Sequence, residues 1–90
     1  MRESEIEKYF VQEVEKVGAL QYKFKSPGRV GVPDRIVMFN ESFCFVELKA
    51  TGKEPDDHQI REHKRIEDQG IPVFVIDSKE CVDEFIATYW

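Results

Sequence analysis

The sequence predicts a small α/β domain in which a mixed sheet is flanked by helices. Three observations predict it. Apolar residues recur at helical spacing in segments 3–17, 57–69 and 79–89. Four short runs among them are rich in β-branched and aromatic residues, as strands are. The run 43–49 reaches the run 72–77 only through a helix, which makes those two strands parallel with a right-handed crossover. The predicted order is α-β-β-β-α-β-α, and 90 residues hold a single domain, 1–90.

In residues 3–17, Ile6, Phe10, Val14 and Val17 form the inward stripe, and Gly18 is placed to end the helix. Residues 20–25 (LQYKFK) alternate Leu20, Tyr22 and Phe24 against polar neighbours, the pattern of a half-buried strand. Two prolines and two glycines make 26–33 (SPGRVGVP) a loop. Residues 34–39 (DRIVMF) and 43–49 (FCFVELK) form a hairpin; if it turns through Asn40-Glu41, residue 39 pairs with 42 and Asp34 lies opposite Glu47. The second of these strands is apolar on both faces, as a central strand is. After the loop 50–56 (ATGKEPD), Asp56 or Asp57 caps the helix 57–69, which Gly70 ends. Its inward stripe is thin: Ile60, Ile66 and the stems of His63 and Lys64. Residues 72–77 (PVFVID) form the last strand. Ser78 then caps the helix 79–89, with Val82, Phe85, Ile86 and Tyr89 inward.

Composition excludes several classes. No run approaches the ~18 apolar residues of a membrane span. The stretch MRESEIEK lacks the apolar core of a secretory signal. Cys44 and Cys81 lie far apart without metal-ligand spacing, which fits two reduced thiols and a cytoplasmic location. So short a domain has a small core, which favours self-association. The net charge of −5 is unevenly spread. Residues 21–66 hold nine basic and seven acidic residues, whereas 67–90 hold one basic and six acidic. A locally basic surface binds phosphate even on an acidic chain.

Asp34 opens a strand directly after a Pro/Gly-rich loop, and Glu47 and Lys49 interrupt the end of the most apolar strand. Residues two apart share a sheet face. Two carboxylates brought together repel unless a cation lies between them, and such oxygen ligands suit Mg²⁺ or Mn²⁺. With Lys49 beside them they make a site for phosphodiester hydrolysis. The same spacing also fits a plain ion pair at the sheet edge, Lys49 with Glu47 or Asp34.

Gly31-Val32-Pro33-Asp34 followed by Glu47-Leu48-Lys49 resembles the PD-(D/E)XK nuclease motif in its full form. Together with Lys25-Ser26-Pro27-Gly28-Arg29, Phe45-Val46 and Gln59, it resembles the virus-type replication-repair nuclease (VRR-Nuc) domain over about residues 3–77. The resemblance implies a restriction-endonuclease-like core cutting DNA with Mg²⁺ or Mn²⁺. Asp34, Glu47 and the Leu48 carbonyl would bind the metal, Lys49 would be the catalytic lysine, and Gln59 would support the site. It also implies a first-helix glutamate. At 100° per residue, with Ile6 at zero, Glu3 falls near +60°, inside the buried arc; Glu7 falls near +100°, on its border, and Glu5 near −100°, facing away. Glu3 is the choice and Glu7 the reserve. Stand-alone members of this kind are expected to be viral or mobile-element resolvases of Holliday junctions, acting as homodimers. A less selective flap or nicking nuclease, or a non-catalytic DNA-binding domain, is the alternative.

Lys23, Lys25, Arg29 and Arg35 cluster around the first loop, and Lys53, Arg61, Lys64 and Arg65 around the second loop and its helix. These are the candidate phosphate contacts, with His58 added. The glycines of loop 26–32 suit it either to embrace DNA or to serve as a plain connection. His58 and His63 are five apart and do not form a zinc pair. Tyr89 and Trp90 are read as packing or dimer contacts.

Overall fold

A computed structural model describes residues 1–89; Trp90, and with it the contact expected there, lies outside the described residues. The elements are α1 (Glu3–Lys16), β1 (Leu20–Lys23), β2 (Arg35–Phe39), β3 (Ser42–Leu48), α2 (Asp57–Glu67), β4 (Val73–Ile76) and α3 (Lys79–Tyr89). This is the predicted order. The sheet order is β1-β2-β3-β4, antiparallel except for the parallel pair β3–β4.

Asn40 and Glu41 both adopt positive φ, 43° and 65°, the backbone that a two-residue hairpin turn needs. Phe39 therefore pairs with Ser42, and the register runs back to Arg35 opposite Val46. Asp34 thus falls at the position opposite Glu47, as expected. Asp56 caps α2, accepting from the Gln59 backbone N–H at 2.9 Å, and Ser78 Oγ accepts from the Cys81 N–H at 3.0 Å.

One sheet face is covered by α1 and α3. Ile6, Phe10 and Val14 of α1 and Val82 and Phe85 of α3 enclose Val37, Cys44, Val46, Leu48 and Ile76. The second face is covered by α2 only near Glu47, where Gln59 and His63 reach that carboxylate.

Three packing expectations are corrected. Val17 caps α1 and is exposed rather than buried, since Ala19 closes that end of the core. β1 ends at Lys23, and its Leu20 and Tyr22 are 56% and 55% exposed. The inward residue of that strand is Gln21, which the buried Arg35 takes as its partner. In α2, Ile60 faces solvent, and the buried side chains are Glu62 and His63. That helix turns a polar face inward because what lies beneath it is a carboxylate.

Candidate active site

Pro33 is fully buried and anchors the chain as it enters β2. Asp34 follows it, and its Oδ2 accepts the Leu48 backbone N–H at 2.9 Å. That bond occupies the place of a ladder bond. Even-numbered residues of β3 face β2, and the register puts Pro33 opposite Leu48. Proline has no N–H, so the ladder offers no donor to the Leu48 carbonyl on the same edge. The Leu48 side chain is in the core, 1% exposed. Its backbone alone faces the site.

Glu47 projects from the other face and is 2% exposed. Its Oε2 accepts from Gln59 Nε2 at 2.9 Å and lies 3.4 Å from Lys49 Nζ. Its Oε1 faces His63 Nε2 at 3.7 Å. Burial pushes its pKa up to about 7; Asp34 adds to the rise, Lys49 opposes it, and Glu3 adds a smaller upward push. A buried carboxylate beside a second carboxylate and one lysine is short of positive charge. Gln59 does two things at once. Its side-chain oxygen accepts the Asp56 N–H, closing a capping box, while its amide nitrogen holds Glu47.

The three first-helix glutamates separate. Glu3 is exposed and is the one whose charge is felt at Glu47. Glu5 pairs with Arg2 at the helix start. Glu7 is tied to Arg35 at 3.0 Å.

Among the described residues no group of three His, Cys, Asp or Glu forms a metal cage. Two carboxylates and a carbonyl without a ladder donor would suit a cation that keeps much of its water. These oxygens fit Mg²⁺ or Mn²⁺ better than zinc.

No family model matches the chain. A protein described as "Putative nuclease p44", from Acyrthosiphon pisum secondary endosymbiont phage 1, is 51% identical over 81 residues, covering 89% of this chain and 87% of that one. A solved structure described as a VRR_NUC domain superposes with a TM-score of 0.89 at 38% identity, covering 98% of this chain and 97% of that one. The chain belongs to the VRR-Nuc family of nucleases. Its α/β fold is the VRR-Nuc fold, with Asp34, Glu47, Lys49 and Gln59 gathered at one end of the sheet.

Around this VRR-Nuc centre, Lys25, Arg29, Lys53, His58 and Arg61 are all exposed; Lys23 is exposed too, but it pairs with Arg35 in the sheet and so stands on the α1 side. Arg29, His58, Arg61 and Arg65 line one groove of about 350 Å³ between loop 26–32 and α2. Glu62 in that groove pairs with both Arg29 and Arg65. The loop packs tightly on the helix. Gly31 has φ +86°, and a Cβ there would stand 2.6 Å from the His58 carbonyl oxygen. Arg35 is a correction to the expected DNA surface. It is 7% exposed, paired with Glu7 and Gln21 on the α1 side of the sheet, and so is structural. His63 is the site residue that the sequence reading passed over. The available signal was spacing: it lies four residues after Gln59, on the same helix face.

Proposed function

We propose that this VRR-Nuc domain is an Mg²⁺- or Mn²⁺-dependent endodeoxyribonuclease that resolves four-way DNA junctions as a homodimer. The observation that carries the metal-dependent chemistry is the opposition of Asp34 and buried Glu47 beside Lys49. Asp34, Glu47 and the Leu48 carbonyl would hold the ion. Bound there, it supplies positive charge against the scissile phosphate and lowers the pKa of a water. Lys49 neutralises charge that builds on the phosphate oxygens. Gln59 keeps the Glu47 carboxylate aimed. Glu3 is the candidate for a further carboxylate at the rim. The exposed cations of both loops would grip the flanking phosphates without reading bases.

One point favours a symmetric substrate. The second sheet face leaves Leu20, Tyr22, Phe43 and Val75 between 40% and 56% exposed. Exposed apolar side chains grouped on one sheet face mark an interaction surface. A second copy seated on it would bring two centres to one junction. Junctions form where phage DNA replicates and recombines, which is why we place the enzyme in the host cytoplasm.

The test is cleavage, with Mn²⁺, of a labelled panel: four-way junction, flap, plain duplex and single strand. Paired symmetric nicks in the junction alone support the resolvase. Flap or duplex cutting keeps the chemistry and contradicts the junction preference. No cutting of any substrate contradicts autonomous catalysis and favours a DNA-binding module.

A further inference from the structure

The Glu47 carboxylate is held unevenly. Oε2 has Gln59 and Lys49. Oε1 has no hydrogen-bond partner, and neither does Nε2 of His63, although both atoms are buried. The two face each other at 3.7 Å, too far for a hydrogen bond. His63 is 6% exposed and Glu47 is 2% exposed, so bulk water does not compensate either atom. Leaving two polar atoms buried and unmet is costly, and natural proteins rarely do it without a reason.

A small movement closes the gap. The terminal torsion of a glutamate is soft, so rotating the carboxylate costs little. His63 sits on α2, whose first turn is fixed by the Asp56–Gln59 capping box. It therefore projects from a rigid platform four residues beyond the Gln59 that holds the other oxygen.

We infer that His63 is a second positioning residue for Glu47: its Nε2–H donates to Oε1 and, with Gln59 on Oε2, fixes the plane in which the carboxylate meets the metal ion. This rests on the metal-dependent reading above. A ligating carboxylate is usually oriented by such outer partners. The arrangement also explains why a helix with a thin apolar stripe buries a histidine at all. Packing alone would be served as well by leucine.

The test compares His63→Leu, which fills similar space without a donor, with His63→Gln, which keeps one. Mn²⁺ affinity of the metal-free protein is read by calorimetry, alongside Tm, kcat and KM for DNA. The expected result for His63→Leu is about a 10–100-fold loss of Mn²⁺ affinity, with kcat lowered and KM for DNA unchanged. Its Tm falls by no more than the loss of one buried hydrogen bond, since Glu47 Oε1 stays buried without a donor. His63→Gln returns toward wild type in affinity and kcat. If His63→Leu does not fold, His63→Met, equally without a donor, carries the comparison. Wild-type Mn²⁺ affinity in the donor-less variant would overturn the inference, and so would a His63→Gln protein as impaired as His63→Leu. Wild-type protein that binds no Mn²⁺ would instead contradict the metal-dependent reading, and this inference with it.

Discussion

At the scale of single residues, the site is governed by one costly group. Glu47 keeps its ordinary carboxylate pKa in the unfolded chain and is pushed up to about 7 in the folded one, first by burial and then by Asp34. Between those values the metal-free native state holds a proton that the unfolded chain has released. Stability therefore falls as pH rises through that window. The prediction is a lower Tm in EDTA at pH 8 than at pH 5.5, with the difference reduced in Glu47→Gln. Mg²⁺ should recover most of the loss at pH 8, since it binds the ionised form. A flat metal-free profile would contradict the burial argument. The motif residues were legible in the sequence because chemistry restricts them to few types at fixed spacing. Arg35 and His63 were not. An arginine reads alike whether it meets Glu7 under a helix or a phosphate outside it, and only the side of the sheet decides.

At the scale of elements, helix α2 and loop 26–32 act as one piece. Gly31 lies against the first turn of α2, and Asp56 and Gln59 close that turn. Gly31→Ala meets both a left-handed backbone and the His58 carbonyl, and should cost at least about 1–2 kcal/mol in denaturant melts. Asp56→Ala should cost about 1 kcal/mol while leaving the Gln59–Glu47 bond in place. A cation pair separates structural from binding roles. Arg61→Ala should weaken DNA binding and reduce the salt slope by about 1, with Tm unchanged. Arg35→Ala should lower Tm and leave the salt slope of the folded protein alone. The converse result would return Arg35 to the DNA surface. The hairpin register was legible because a two-residue turn fixes it. The facing of β1 and α2 was not, because alternation and period say which residues share a side, not which side is covered. In β1 the apolar side is open, and in α2 the buried side is polar.

At the scale of the whole molecule, α1 and α3 cover one sheet face, whereas the other leaves Leu20, Tyr22, Phe43 and Val75 exposed. That asymmetry supports a second copy as its cover. Tyr22→Glu should convert a dimer to a 10.6 kDa monomer in sedimentation while sparing Mn²⁺ binding. A wild-type monomer at working concentration would contradict the dimer. The central claim is narrower than the dimer: Asp34 and Glu47 hold a cation that cuts DNA. Its most direct test is Mn²⁺-dependent cleavage of a labelled four-way junction by wild type, Asp34→Asn and Glu47→Ala, each at matched DNA occupancy. We predict cutting by wild type alone, abolished by EDTA and poorly supported by Ca²⁺. Variants that bind the junction and still cut it at the wild-type rate would contradict the account.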